Sequence, residues 1–451
     1  MPTNDRARGS VPGATDFRRS LRLAKHPRDP LDSRRAGGRG PDLNQVRLER
    51  QGYSVEALRR LARRGLPRMV FDFCDGGAED EITRDRNETA FADWEFLPTP
   101  LNGTTDRDQS TVLFGERLAM PVIIGPTGLS GMLWPRGEVA AARAAAAAGT
   151  VYIMSHGSTV PIEDLAKEVP GPLWFQNFMY RDRALTRSFT ERAQAAGYRA
   201  LVLTIDNQVL GQRERDLRNG FVIPPNVTWR SVVDVARAAP WALRMARRSL
   251  TFANYVSEER KDIVSLAAYL ASMLDPTLHW KDVDWLRSIW RGPLLLKGVL
   301  HPVEARLAVE HGIDGVIVSN HGGRQLDTAL PAIGALPAVV DAVAGRIPVL
   351  LDGGVRRGSH VVKAVALGAA ACLIGRPHLW GLAVAGEAGV AQVLEIFRRD
   401  IDRVLALGGW DGIAQVDRNA LAPATTTLMG GARPEQPRAS VRPSLGVAAT
   451  S

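Results

Sequence analysis

Eight short apolar runs recur along the chain, and segments with helical periodicity separate many of them. The runs are residues 121–128, 151–157, 173–178, 200–206, 293–299, 315–321, 348–354 and 371–377. Strands that are apolar at nearly every position suit a parallel sheet that is covered on both faces. Eight such strands, each followed by a crossover, predict an α/β protein with a (β/α)8 TIM barrel. An open, doubly wound sheet is the alternative, but it usually carries a Gly-x-Gly-x-x-Gly turn after its first strand, and this sequence has none there.

The chain extends beyond the predicted barrel at both ends. Residues 1–45 form a basic leader with little apolar periodicity, and residues 423–451 are rich in Ala, Pro, Thr and Arg. Both segments are predicted to be disordered. Residues 46–422 form the predicted barrel domain, which opens with two short helices after Ser54, a candidate N-cap. Residues 221–290 form an insertion after strand four that is far longer than an ordinary crossover.

The insertion combines aromatic and basic side chains. Trp229, Trp241 and Phe252 are interleaved with arginines such as Arg237 and Arg244. This composition is typical of a monotopic membrane patch, where basic groups meet anionic head groups beside inserted aromatic rings. A helix that caps the barrel mouth and a contact between subunits are the alternatives.

Charge and cysteine content exclude several other classes of function. The net charge of +9 is concentrated in the leader, and no basic stretch has the interleaved aromatics that stack on bases, so we expect no nucleic-acid binding. The two cysteines, Cys74 and Cys372, have no spacing typical of disulfides or metal ligands, so we expect buried thiols and no metal. The sequence has no signal peptide and no apolar run of about 18 residues, which predicts a cytoplasmic protein.

Polar or glycine residues follow all eight predicted strands, where the loops of a barrel form its active face. They are Thr127 and Gly128, Ser155, Gln176, Thr204 and Asp206, Lys297, Ser319 and His321, Asp352 to Gly354, and Gly375 with Arg376. Eight such ends on one face predict a pocket for a large polar molecule. Glycines and arginines after strands seven and eight indicate a phosphate cradle, and hence a cofactor such as flavin mononucleotide. Tight turns that only need glycine are the alternative.

Several charged residues at these ends suit acid–base chemistry on a carboxylate substrate. His321 can act as a general base near neutral pH, and Asp206 can orient it. Arg213 and Arg324 can hold a carboxylate through charge-assisted hydrogen bonds. Lys297 needs an anionic partner if it is buried, and beside a flavin it can stabilise negative charge. A structural histidine and a lysine at the barrel rim are the alternatives.

Three segments resemble the FMN-dependent α-hydroxy acid dehydrogenases and oxidases, a family that includes glycolate oxidase, L-lactate dehydrogenase and mandelate dehydrogenase. They are SNHGGRQLD at 319–327, DGGVRRGSHVVKAVALGA at 352–369 and GRP at 375–377. The resemblance extends from about Tyr53 to about Leu407 and is greatest to the mandelate dehydrogenase branch. It implies oxidation of an (S)-2-hydroxy acid, mandelate-like or L-lactate, by hydride transfer or through a carbanion. Electrons would pass to a quinone or another acceptor.

The resemblance also implies roles for individual residues. FMN would be contacted by Pro126, Thr127, Gly128, Ser155, Gln176, Thr204, Lys297 and Ser319, and its phosphate by Asp352, Gly353, Gly354, Val355, Arg356, Gly375 and Arg376. His321 would be the base with Asp206 as its partner, while Arg213 and Arg324 would bind the substrate carboxylate. The branch further implies membrane contact after strand four, hence a peripheral location on the inner face of the cytoplasmic membrane. We expect a homotetramer.

Two phenylalanines depart from the family pattern. Phe73 and Phe178 stand where the family usually has tyrosines in the substrate pocket. A hydrogen bond to a charged group contributes about 1.5–3 kcal/mol, so each lost hydroxyl corresponds to roughly one to two decades of rate. Gly157 leaves room where some relatives hold a bulky aromatic, which favours a large or aromatic substrate. The alternatives are an oxidase that uses oxygen, a non-oxidative FMN isomerase, and a flavin-binding scaffold with altered or lost turnover.

Overall fold

The computed structural model describes residues 48, 50–103, 105–220, 229–246, 252–255 and 272–424. The predicted leader at 1–45 and nearly all of the predicted tail at 423–451 lie outside the described residues. Much of the predicted insertion at 221–290 does so as well. The described residues all belong to one compact unit, Asn44–Ser451.

Three helices and three short strands precede the barrel. They are α1 (Val55–Gly65), α2 (Arg68–Asp75), α3 (Ile82–Thr89), β1 (Trp94–Phe96), β2 (Thr111–Leu113) and β3 (Glu116–Leu118). Ser54 caps α1 as predicted, because its hydroxyl accepts a hydrogen bond from the Ala57 backbone N–H at 3.1 Å. The β2–β3 hairpin places Leu113 and Leu118 against the interior residues of the barrel and so closes its amino-terminal end.

Eight parallel strands close into a barrel in which neighbours follow chain order. The strands are β4 (Val122–Ile124), β5 (Tyr152–Ser155), β6 (Leu173–Phe178), β7 (Ala200–Thr204), β8 (Leu294–Val299), β9 (Gly315–Val318), β10 (Val349–Asp352) and β11 (Ala371–Ile374). Each strand lies within one of the eight apolar runs, so the predicted (β/α)8 barrel is confirmed. Six strands end before their run does, because the residues that close those runs already belong to the following loop or, for Arg376 and Pro377, to helix α14.

Helices surround the barrel and lie between its strands. They are α4 (Gly137–Ala147), α5 (Ile162–Glu168), α6 (Arg183–Ala195), α7 (Glu214–Arg218), α8 (Trp229–Arg237), α9 (Ala239–Met245), α10 (Trp280–Ile289), α11 (Pro302–Glu310), α12 (Ala332–Val343), α13 (Gly358–Ala366) and α14 (Arg376–Gly408). A last strand, β12 (Leu421–Pro423), pairs antiparallel with β1. Helices α7, α8 and α9 follow β7 and precede α10, which is the crossover helix to β8.

Among the described residues, α14 is the one helix long and apolar enough to cross a membrane. Its most apolar window has a mean hydropathy of 1.3, but 61% of that window is buried inside the protein. The helix is also interrupted at Ala385 and Gly386, where the backbone leaves helical geometry. This burial is typical of the core helix of a globular domain.

Candidate active site

The barrel interior changes from apolar to polar at the carboxyl ends of its strands. The inward apolar residues, one from each strand, are Ile123, Ile153, Trp174, Val202, Leu295, Ile317, Leu350 and Leu373. Side chains alternate across a strand, so the residue two positions later faces inward again. Those residues are Gly125, Ser155, Gln176, Thr204, Lys297, Ser319, Asp352 and Gly375. A polar layer therefore covers the apolar core at the face where barrels carry their active sites.

A cavity of about 390 Å³ lies against this polar layer, within the range of cofactor and small-molecule sites. The predicted site residues that line it are Phe73, Pro126, Thr127, Gly128, Ser155, Gln176, Phe178, Thr204, Arg213, Lys297, His321, Arg324, Asp352, Gly353, Gly354, Val355, Arg356, Gly375 and Arg376. Two predicted residues do not line it. Asp206 and Ser319 line a second cavity, and each contacts a residue of the first.

His321 is oriented by Asp206 and held in the uncharged state. Its Nδ1 lies 3.1 Å from Oδ1 of Asp206, which leaves Nε2 as the nitrogen available to a substrate. Burial lowers the pKa of His321 below its usual value. Asp206 opposes this shift, whereas the charges of Lys297 and Arg213 add to it. The imidazole is therefore neutral at pH 7, the state that a general base requires.

The turn that carries His321 has a left-handed backbone over three residues. The φ angles of His321, Gly322 and Gly323 are +57°, +65° and +70°. A Cβ on Gly322 would lie 2.7 Å from Nη1 of Arg376, and one on Gly323 would lie 2.4 Å from the backbone nitrogen of Arg84. Glycine is thus needed for close approach as well as for conformation. A histidine held at positive φ is costly, and such residues are concentrated at functional sites.

Lys297 is buried with its counter-ion. Its Nζ lies 2.7 Å from Oδ2 of Asp352 and donates a hydrogen bond to Oγ of Ser319 at 3.1 Å. Ser319 in turn donates to Asp352 at 3.0 Å. Burial alone would lower the pKa of Lys297, but Asp352 and Asp206 raise it above its usual value. With 4% of its surface exposed, Lys297 is a buried cation and not a lysine of the barrel rim.

Three half-buried arginines, Arg213, Arg324 and Arg376, bring positive charge to the cavity, and Asp75 and Asp216 offset part of it. Arg324 and Arg376 each donate a hydrogen bond to the carbonyl oxygen of Gly76 at 2.8 Å, and the Arg324 guanidinium lies 5.4 Å from the centre of the Phe73 ring. Burial lowers the pKa values of Arg324 and Arg376 to about 9, and the charge of Arg324 contributes to the shift of Arg376. Arg213 further lowers the pKa of Arg324.

Several guanidinium groups at the cavity have N–H donors without an acceptor. The Nε atoms of Arg213, Arg356 and Arg376 are buried, and no described residue accepts a hydrogen bond from them. A buried donor without an acceptor is costly, and the cost is larger when the group is charged. Anionic groups placed in the cavity would satisfy these donors, so the arrangement suits both a phosphate and a carboxylate.

The loop after β10 has the shape of an anion cradle. Gly353 and Gly354 have φ angles of +110° and +76°, and a Cβ on Gly354 would lie 1.9 Å from the carbonyl oxygen of Asn87. Arg356 is anchored beside them by a 2.7 Å hydrogen bond to Glu88. Helix α14 begins at Arg376, so its amino-terminal end, which favours anions, lies at the same cavity. Glycine loops, a helix start and open guanidinium donors fit the phosphate of flavin mononucleotide.

The other side of the cavity is aromatic and includes residues that sequence reasoning missed. They are His156, Tyr180, Leu210, Phe252 and Leu274. A signal existed for two of them, since His156 follows Ser155 directly and Tyr180 follows Phe178 by the strand period of two. Phe252 and Leu274 belong to the predicted insertion, and no strand periodicity points to them. A ring carbon of Phe252 lies 3.6 Å from the position of a Cβ on Gly157, so Phe252 takes part of the room predicted there for substrate.

The described part of the insertion packs over the barrel mouth. The indole N–H of Trp241 donates to the carbonyl oxygen of Met132 at 2.9 Å, and the Arg244 guanidinium lies 4.8 Å from the centre of the Trp134 ring. Phe252 reaches the cavity itself. The described residues of the insertion therefore cover part of the barrel mouth, while a capping role and membrane contact both stay predictions.

Comparison with known proteins agrees with this geometry. Residues 62–423 match the model of the FMN-dependent dehydrogenase family. (S)-Mandelate dehydrogenase of Pseudomonas putida is 42% identical over 370 residues, which are 82% of this chain and 93% of that protein. Glycolate oxidase of Spinacia oleracea is 41% identical over 371 residues, 82% of this chain and 95% of that protein. The crystal structure of the monotopic membrane protein (S)-mandelate dehydrogenase matches with a TM-score of 0.80 and 42% identity, covering 82% of this chain and 99% of the other.

Proposed function

This chain belongs to the family of FMN-dependent dehydrogenases, oxidoreductases that act on 2-hydroxy acids with FMN as cofactor, and we propose that its substrate is an (S)-2-hydroxy acid with an aromatic or large apolar side chain. The product is the corresponding 2-oxo acid. Mandelate is the model substrate for this class, and L-lactate is a smaller alternative.

We base the choice of substrate class on the aromatic wall of the cavity, formed by His156, Phe178, Tyr180 and Phe252, which lies opposite His321. His321 follows β9, whereas the aromatic wall is built on β5, β6 and the insertion, and β5 lies four strands from β9 in the closed barrel of eight. A hydroxy acid whose carboxylate lies near Arg213 and Arg324 would therefore extend its side chain towards Phe178 and Phe252. Burial of a phenyl group against such a wall is favoured by the hydrophobic effect and by edge-to-face ring contacts.

The residues of the site have separate tasks in the proposed reaction. Arg213 and Arg324 bind the substrate carboxylate and set the orientation of C2. Nε2 of His321 takes up a proton from the reacting centre, and the carboxylate of Asp206 stabilises the resulting imidazolium. FMN, when bound, supplies the acceptor for the two electrons that leave the hydroxy acid. The ammonium group of Lys297 stabilises negative charge that develops at the polar layer of the barrel.

The electron acceptor is proposed to be a quinone, reached through contact with the inner face of the cytoplasmic membrane. Apolar side chains stand exposed in the loop after β7 and on the insertion helices, among them Val209, Leu210, Leu217, Val233 and Leu243. Of these residues, Val233 and Leu243 belong to the insertion at 221–290, the segment expected to contact membrane. Basic residues beside these side chains suit an anionic lipid surface. A homotetramer remains a prediction.

A flavin-binding protein with altered turnover is the second candidate, because Phe73 and Phe178 line the cavity without hydroxyl groups. Anaerobic addition of 2-hydroxy acids to the yellow holoenzyme separates the two, since only an active enzyme bleaches its flavin. Release of peroxide when oxygen is readmitted would identify an oxidase instead of a dehydrogenase.

A further inference from the structure

Three polar side chains form a triangle within the aromatic wall. Nδ1 of His156 lies 2.9 Å from the hydroxyl of Tyr180 and also contacts the hydroxyl of Tyr255, and the two hydroxyls contact each other. Aromatic rings surround the triangle: His156 packs 4.1 Å from Phe178, and Tyr255 packs 4.8 Å from Phe189, between ring centres. The main chain holds it as well, since the carbonyl of His156 accepts a hydrogen bond from Asn254 at 3.3 Å. We call these three residues the His–Tyr–Tyr triangle.

The His–Tyr–Tyr triangle has one more donor hydrogen than it can use in its own hydrogen bonds. The imidazole of His156 is neutral, because burial, with a smaller contribution from His321, lowers its pKa to about 3. A neutral imidazole has one N–H, and the tyrosines have one O–H each, so the triangle contains three donor hydrogens. Only two of them can be used inside it, because an Nδ1 that carries a proton cannot also accept one. One hydrogen must therefore point outwards.

The chemistry of the groups places that hydrogen on Nε2 of His156. A phenol is a stronger donor than a neutral imidazole N–H, and an imidazole nitrogen is a better acceptor than a phenol oxygen, as their acidities show. A tyrosine hydroxyl therefore donates to Nδ1, and the imidazole proton lies on Nε2. No described residue accepts a hydrogen bond from Nε2, and His156 lines the cavity.

The position of this donor relative to the base sets what it can reach. His156 follows β5 and His321 follows β9, so the two imidazoles stand on opposite sides of the barrel mouth. Apolar residues, including Phe178, Phe252 and Leu274, line the cavity on the side of His156. A substrate whose C2 lies at His321 would meet these residues with its side chain and His156 with the far end of that side chain.

We propose that Nε2–H of His156 binds an oxygen substituent on the substrate's aromatic ring, so that the enzyme selects ring-hydroxylated mandelates over mandelate. Tyr180 and Tyr255 are positioning residues that fix the tautomer and the orientation of the imidazole. The inference rests on the proposed function, because it names the distal group of the same substrate. It gives a role to a polar cluster that lies within an otherwise aromatic wall and whose imidazole faces the cavity.

Measurements of binding and of turnover test separately whether the enzyme recognises a ring hydroxyl. Isothermal titration calorimetry on the oxidised holoenzyme with phenylacetate and with 3- and 4-hydroxyphenylacetate, which cannot be oxidised at a C2 hydroxyl, measures recognition alone. We expect one hydroxylated isomer to bind about tenfold more tightly than phenylacetate, the size of one neutral hydrogen bond. The ratio of kcat/KM for the matching hydroxymandelate over mandelate should be similar. If both hydroxylated isomers bind no better than phenylacetate, the inference is overturned.

Substitutions of His156 test whether its Nε2–H is the donor to the substrate ring. His156→Phe should bring the affinity of the hydroxylated phenylacetate, relative to that of phenylacetate, to about one. His156→Gln, which keeps an N–H donor in a smaller change, should retain about a threefold preference and guards against misfolding of the first variant. His301→Phe makes the same exchange at an exposed helix cap outside the cavity and should leave the ratio unchanged.

The outcomes distinguish this inference from the proposed function. Equal losses with mandelate and hydroxymandelate in both His156 variants would place the donor at the reacting end and overturn the inference, while leaving hydroxy acid oxidation intact. Selective binding of the hydroxylated acid in a holoenzyme that no hydroxy acid reduces would support the recognition and contradict the proposed function.

Discussion

The carboxylate of Asp206 contacts the His321 imidazole on the side away from the cavity and uses only one of its two oxygens to do so. Oδ1 of Asp206 lies 3.1 Å from Nδ1 of His321, while Oδ2 is buried and meets no hydrogen-bond donor among the described residues. A buried carboxylate oxygen without a partner is costly in the resting protein. The cost falls when the imidazole gains a proton, because the pair then becomes an ion pair. The geometry thus favours proton uptake by His321 during the reaction.

Asp206→Asn tests this coupling through the pH profile. His321 acts as a base in its neutral form, so kcat/KM should rise with pH through a pKa below the usual histidine value and then level off. Asp206 raises the pKa of His321, so replacing Asp206 should move the rise of kcat/KM to lower pH. The plateau should fall by at least tenfold, because the imidazolium loses its counter-ion. A rise that moves to higher pH, or an unchanged plateau, would contradict the assignment.

Lys297→Met should destabilise the protein, because it leaves the Asp352 carboxylate buried without its counter-ion. Loss of one partner of a buried pair costs about 3–5 kcal/mol in the free energy of unfolding. The double variant Lys297→Met/Asp352→Asn should recover part of that loss. Denaturant unfolding at pH 7 after removal of FMN measures both, without a contribution from cofactor binding. If the single variant and the wild type have the same free energy of unfolding, the Lys297–Asp352 pair does not stabilise the fold.

The same pair has a defined pH window. The pKa of Asp352 is lowered in the folded protein, since Lys297 and Ser319 outweigh the effect of burial. Its stabilisation is therefore present above the unfolded pKa of about 3.9 and is lost as the pH falls through the lower folded value. The pKa of Lys297 is raised, so its contribution is present below about pH 10.4 and is lost as the pH rises through the higher folded value. The destabilisation by Lys297→Met should shrink as the pH falls, because burial without Lys297 raises the pKa of Asp352 and the carboxyl then takes up a proton.

Phe73→Tyr and Phe178→Tyr each restore a hydroxyl that the family usually has in the substrate pocket. If that hydroxyl bonds the substrate or its developing charge, kcat/KM for mandelate should rise by about 10- to 100-fold per site. FMN affinity, measured by fluorescence titration, should stay the same and serves as the control. Activity that remains undetectable in the double variant, with normal FMN binding, would favour the scaffold alternative.

Leu243→Asp should weaken binding to membranes, because Leu243 is 79% exposed on the insertion helix α9. The wild type should sediment with anionic vesicles, less so at high salt, since screening weakens attraction to the head groups. Leu407→Asp is the matched control, because Leu407 is 69% exposed at the far end of α14. Equal sedimentation of the wild type and Leu243→Asp would contradict membrane contact at α9.

The sequence was sufficient to predict the barrel and the polar layer of its site. Strands buried on both faces must be apolar throughout, and this requirement makes eight of them visible without a structure. The strand period of two then places residues such as Gln176 and Lys297 towards the axis. The need of Lys297 for an anion was also predictable, but the identity of the anion was not, because Asp206 and Asp352 both lie at the carboxyl ends of barrel strands.

The aromatic wall was beyond sequence reasoning for a physical reason. Phe252 and Tyr255 lie in an insertion without strand periodicity, and only packing decides which of its side chains enter the cavity. The His–Tyr–Tyr triangle joins three segments, at residues 156, 180 and 255, whose contacts depend on tertiary structure alone. Gly157 shows the consequence: the space beside it is partly filled by Phe252, a residue nearly 100 positions away.

Anaerobic flavin reduction reports directly whether this protein oxidises a 2-hydroxy acid with His321 as the base. The wild-type holoenzyme, mixed without oxygen with (S)-mandelate, hydroxymandelates or L-lactate, should lose its yellow colour with at least one acid and form one 2-oxo acid per flavin. His321→Asn should bind the same acid, seen as a shift of the flavin spectrum, but bleach at least a thousandfold more slowly, as expected when a general base is removed. A wild-type flavin that stays oxidised with every acid, or a variant that bleaches at the wild-type rate, would contradict the account.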